Sequence, residues 1–147
     1  MKSPRLTPKK ISKMYSKGAN ISATLRNEMG LETNSKEIIE ISYDLQTGSY
    51  IDSMQDKELA DIKCSYVVEI ARVIKSLCDP SSILEAGVGE ATTLSGVIKA
   101  IDGNTRNYGF DLSWSRVAFA KAWLQSQGVE NTTLCTGDLF NIPFLDS

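Results

Sequence analysis

The sequence predicts an α/β fold, an open parallel sheet with crossover helices, preceded by a helical segment. Three observations predict it. Residues 82–94 read as strand, glycine turn and helix: Ile83, Leu84 and Ala86 make the apolar run of a strand buried on both faces. Gly87 and Gly89 then allow a tight turn. Beyond that turn, strand-like runs at 107–112 and 132–137 are separated by helical periodicity, the alternation of an α/β chain. Finally, Glu85, Asp111 and Asp138 each stand at the carboxyl end of one of these three strands, the edge where open parallel sheets hold ligands.

At 147 residues the chain has the size of one domain, and 41% hydrophobic with 23% charged residues is ordinary for a globular protein. It lacks an apolar run long enough to span a membrane and has no secretory h-region, so the expected compartment is the cytoplasm. Cys64, Cys78 and Cys135 are odd in number and widely spaced, which favours reduced thiols over a disulfide framework or a zinc site. Histidine is absent, removing the commonest general base and metal ligand; no metal is expected.

The net charge of −2 is unevenly placed. Residues 1–17 carry Lys2, Arg5, Lys9, Lys10, Lys13 and Lys17 and no acid, leaving 10 basic against 18 acidic residues in the remainder. A basic arm for nucleic acid is one reading. A solvated helix face is favoured, because Ile11, Met14 and Tyr15 are spaced i, i+3, i+4 among the lysines and no series of aromatics interleaves for base stacking.

Taken in order, residues 1–8 with Pro4 and Pro8 form a frayed lead-in, followed by a short helix over 9–17 that stops near Gly18. Asn20 caps a second helix through Met29, ended by Gly30, and Asn34-Ser35 starts a third carrying Ile38, Ile39, Ile41 and Leu45. Residues 43–51 are polar and aromatic, broken by Gly48. Tyr43, Gln46 and Tyr50 are pocket candidates there; a helix–loop–helix corner with half-buried tyrosines weighs equally. A long helix is expected from Asp52 to Cys78, with Leu59, Ile62, Tyr66, Ile70, Val73, Ile74 and Leu77 packed on the sheet and Asp79-Pro80 ending it. The expected division is a helical segment at 1–51 and a ligand-holding part at 52–147.

After the glycine turn, Leu94, Val97, Ile98 and Ile101 make an amphipathic stripe, with Thr92 and Thr93 in the first turn, where N–H groups and the positive dipole end collect. Asp111 lies 22 residues beyond Gly89, and its carboxylate is suited to accept from both hydroxyls of a ribose. Ser113 caps the next helix, whose face is Trp114, Val117, Ala120 and Leu124; Trp114 reads as core rather than a stacking platform. Asp138 reads either as a ligand acid or as a turn acid.

Gly87-x-Gly89-x-x-Thr92 lacks the third glycine of a dinucleotide fingerprint, and Glu85 stands where a phosphate would be repelled. A carboxylate there suits a ligand bearing ammonium and sulfonium charges. The Glu-x-Gly-x-Gly spacing after an apolar strand resembles the first motif of class I S-adenosylmethionine-dependent methyltransferases. The run from Gly109 to Ser115 looks like that family's second strand end, and Gly137-Asp138 resembles its third.

The resemblance implies a Rossmann-like sheet in the order 3-2-1, with S-adenosylmethionine bound by Glu85, Ala86, Gly87, Gly89, Thr92, Asp111, Leu112, Asp138 and Leu139. Asp111 then binds the ribose, Leu112 packs on the adenine and Asp138 meets the adenine amino group. A helical segment closing over the cofactor would bring in Tyr43, Gln46 and Tyr50. The implied activity is methyl transfer to a small-molecule or sugar-type acceptor. The family's fourth strand would follow Asn141–Ser147, so the chain reads as the cofactor half of such an enzyme, without named catalytic residues, inactive alone, and open to self-association through its first strand. Two alternatives stand: an NAD(P)-binding oxidoreductase domain, favoured by Gly87-x-Gly89 and Asp111, and a non-catalytic binding module.

Overall fold

The computed structural model describes residues 6–101 and 104–144. Most of the lead-in, with Lys2 and Arg5, lies outside them, as do residues 145–147. The chain divides into two compact units, Met1–Gln46 and Thr47–Ser147. The division falls between 46 and 47, so residues 47–51 go with the second unit.

The first unit holds three helices, α1 Pro8–Tyr15, α2 Ile21–Met29 and α3 Lys36–Leu45. Their ends follow the local chemistry read from the sequence. Asn20 and Ser35 accept N–H groups of Ala23 and Ile38 as N-caps, and Gly30 closes α2 in the left-handed conformation. Leu6, Ile11, Ile21, Leu25 and Ile38 make this unit's own core.

The second unit is mixed α/β. Two helices, α4 Ser49–Ser53 and α5 Lys57–Leu77, precede β1 Ser82–Ala86, α6 Thr92–Ile101, β2 Arg106–Asp111, α7 Trp114–Ser126 and β3 Thr132–Thr136. The strands form one open parallel sheet, β1-β2-β3, with Glu85 opposite Gly109 and Asp111 opposite Thr136. The single long helix expected over 52–78 is interrupted: α4 ends at Ser53, and Asp56 caps a separate α5 by accepting the Leu59 N–H.

Ile83, on the same strand face as Glu85, packs against two core clusters. One joins Val67 and Ala71 of α5 to Val97 and Ile101 of α6; the other joins Val88 and Leu94 to Val117, Ala120 and Leu124 of α7 and Leu134 of β3. Two glycines let these layers approach. A Cβ on Gly109 would stand 2.8 Å from Leu134 and 2.9 Å from Val88, and one on Gly96 would stand 2.7 Å from Val67.

Three packing expectations are corrected. β1 is not buried on both faces, since Leu84 is 46% exposed. On that second face Phe144 lies against Tyr108 and Phe110. The stripe expected to bury α5 is largely exposed at Leu59, Ile62, Tyr66, Val73 and Leu77, while Val67 and Ala71 are its buried residues. Trp114 is 70% exposed rather than core, although Val117, Ala120 and Leu124 are buried as the helical spacing predicts. No helix among the described residues is long and apolar enough to cross a membrane.

Candidate functional site

The turn after β1 is tied to the carboxyl end of β2 by three of its main-chain donors. The N–H groups of Gly87 and Val88 both donate to the Phe110 carbonyl at 2.9 Å, and the Gly89 N–H donates to Asp111 Oδ2 at 2.9 Å. Gly87 (φ +74°) and Gly89 (φ +54°) take the left-handed backbone for which glycine costs least. Ala91 takes it too, at φ +58°, a conformation worth roughly 1–2 kcal/mol of strain for a residue with a Cβ. A turn held this firmly is a rigid platform, and its outer side is open: Ala86 and Gly87 are exposed.

Glu85 stands on the helix-covered face of β1, half-buried, with one carboxylate oxygen, Oε2, buried and without a hydrogen-bond partner. Its pKa is pushed up from 4.5 to about 7, first by burial, with the Asp111 charge adding a smaller push. Lys63 and the Leu94 N–H pull the other way. Lys63 reaches in from α5 and donates to Thr93 Oγ1 at 2.6 Å, at the amino end of α6. A buried carboxylate oxygen with no hydrogen-bond partner is costly to keep ionised, which marks Glu85 out from the acids that serve as caps.

Asp111 is placed differently from the expectation. It is only 4% exposed, and while Oδ2 takes the Gly89 N–H, Oδ1 takes the Ser113 N–H at 2.9 Å. Its first task is to bind the glycine turn to the start of α7; a ribose would have to use the lone pairs that remain. Asp138 lies two residues past β3, half-buried, and accepts the Phe140 N–H at 3.0 Å. That bond engages one oxygen within the turn, and Leu139 beside it is exposed. Leu112 is half-buried and Thr92 buried in the first turn of α6.

Tyr43 and Gln46 end the first unit, in and just after α3, and Tyr50 belongs to the second. The Tyr50 ring lies under the Arg116 guanidinium, 5.1 Å from ring centroid to Cζ. Arg116 and Glu90, both buried, were not singled out from the sequence, nor was Lys63. The one local signal was an acid, Glu90, between two small residues at the head of an apolar helix. A cavity of about 660 Å³ opens at the other end of the strands, lined by Ser81, Arg106, Asn107 and Thr133 among others. It holds none of the predicted residues.

No family model, curated protein or solved structure matches the chain.

Proposed function

We propose that residues 47–147 hold S-adenosylmethionine in a Rossmann-like arrangement and that the chain is the cofactor-binding part of a methyltransferase acting on a small-molecule or sugar-type acceptor. The observation that carries the reading is Glu85: a buried carboxylate oxygen with no partner, beside a rigid glycine turn, at the carboxyl end of a parallel strand. Such a group matches a cationic ligand and repels the pyrophosphate of a dinucleotide.

The ligand's zwitterionic amino acid end is assigned to Glu85, with Lys63 and the α6 amino end next to it. Its nucleoside is assigned to the exposed Ala86–Gly87 segment, Leu112, Asp138 and Leu139. Asp111 supports the turn and offers its spare lone pairs to the ribose hydroxyls. S-adenosylmethionine supplies an activated methyl group; the chain's residues bind and orient it, which for a good leaving group is much of the work.

Calorimetric titration with S-adenosylhomocysteine, the demethylated product, set against NAD, tests the reading. Uptake of the former at micromolar concentration with none of the latter is expected. Preference for NAD would move the assignment to an oxidoreductase domain, which Gly87-x-Gly89 and Asp111 also fit, and uptake of neither would leave a non-catalytic module.

A further inference from the structure

Glu90 is the least exposed acid among the described residues, at 2%. Its two oxygens accept main-chain N–H groups from far along the chain: Oε1 takes Gly48 at 2.8 Å and Oε2 takes Ile51 at 2.9 Å. Those are the opening donors of α4, which has no side-chain cap of its own and would otherwise leave them unmet. The backbone is left-handed on both sides of Glu90, at Gly89 and Ala91, so the strain at Ala91 accompanies this placement of the carboxylate. A second clasp lies alongside. Arg116 covers the Tyr50 ring, and its Nη1 stands 3.8 Å from where a Cβ on Gly89 would be.

We infer that Glu90 is a positioning residue: its carboxylate latches residues 48–51 onto the glycine turn, and Tyr50, held between that latch and Arg116, forms a wall of the ligand crevice. The latch itself stands on the hydrogen bonds; the part played by Tyr50 toward the ligand rests on the proposed S-adenosylmethionine reading. Glu90 itself touches no ligand. It acts through the strap.

Amide hydrogen exchange of the full chain tests the latch without any ligand. In the wild-type protein the Gly48 and Ile51 amides exchange together and well below the free-peptide rate; exchange at the free rate for either overturns the latch. In Glu90→Gln, which keeps the volume but offers one acceptor and one donor, both amides exchange at least tenfold faster, while the Val117 amide, bonded to the Ser113 carbonyl within α7, is unchanged. Equal rates in the variant and the wild type overturn the proposal.

Titration with S-adenosylhomocysteine tests the consequence. Glu90→Gln and Tyr50→Ala each bind about tenfold more weakly, and the double variant binds no more weakly than either. Unchanged affinity in Glu90→Gln, or losses that multiply in the double variant, removes Tyr50 as the element the latch presents. A wild-type chain that takes up no S-adenosylhomocysteine counts against the proposed function alone, and the exchange rates then decide the latch.

Discussion

The carboxyl ends of β1 and β3 lie on the same edge of one sheet and are built in opposite ways. At β1 the turn is locked: main-chain donors of Gly87, Val88 and Gly89 are met by β2, and Glu90 and Asp111 are buried with both oxygens of each engaged. At β3 the Gly137 N–H donates to the Asp111 carbonyl at 2.9 Å, and the chain then leaves through Asp138, Leu139, Phe140 and Ile142, of which Phe140 is fully exposed, with short-range bonds between Asp138, Phe140 and Asn141. The first end is preorganised, so ligand binding there costs little ordering. The second end presents exposed apolar side chains at Leu139, Phe140 and Ile142.

The largest effect that can break this contrast comes from the two aspartates. Asp111→Ala strands the buried N–H groups of Gly89 and Ser113 and is expected to cost about 3 kcal/mol of unfolding free energy. Asp138→Ala, at the looser end, is expected to cost less than about 1 kcal/mol. Urea denaturation measures both, and equal losses would erase the distinction.

Next comes the charge on Glu85. Its folded-state pKa, about 7, lies above the ordinary value of 4.5, so the folded chain binds this proton more tightly than the unfolded chain does. The contribution is fully present below about pH 4.5 and is lost as pH rises through 7. Wild-type stability relative to Glu85→Gln is therefore expected to fall between these values, by an amount on the order of 2–3 kcal/mol. Binding runs the other way, because an ammonium ligand needs the ionised form. S-adenosylhomocysteine affinity is expected to rise toward pH 7 in the wild type and to stay flat in Glu85→Gln. Parallel pH profiles for the two proteins would show that Glu85 is not the receptor.

A smaller effect than at Asp111 or Glu85 is expected at Gly87. A Cβ there meets nothing within 4 Å, and φ is +74°, so Gly87→Ala is expected to cost only the backbone term, about 1 kcal/mol. Gly109→Ala in the sheet is expected to cost more, about 2–3 kcal/mol, because Leu134 and Val88 crowd the added carbon. A larger loss of S-adenosylhomocysteine affinity in Gly87→Ala than in Gly109→Ala would mark Gly87 as a point of close ligand approach.

The strands, their order in the chain and several helix ends were legible because each is written in local chemistry, whereas the break after Ser53 and the fresh start of α5 at Asp56 were not. Asn20, Ser35 and Ser113 cap as read, Gly30 terminates as read, and the turn glycines have the dihedrals their positions demanded. The burial of α5 was not legible. Two apolar stripes overlap on that helix, and spacing alone does not say that Val67 and Ala71 face the core while Leu59, Ile62 and Tyr66 face outward. Asp111 was legible as an acid at a strand end, but its engagement by Gly89 and Ser113 was not.

By itself, then, the sequence determined an α/β chain with a glycine turn after its first strand and three acids at strand ends, since periodicity, capping and left-handed glycines act over a few residues. Only the tertiary structure decided what each acid does. Glu85 keeps one buried oxygen without a hydrogen-bond partner, Asp111 staples the turn, Asp138 accepts an N–H in the loop after β3, and Glu90, unremarked in the sequence, holds amides 39 and 42 residues away. A carboxylate's role is set by which N–H groups and charges surround it, and those come from segments that only folding brings together.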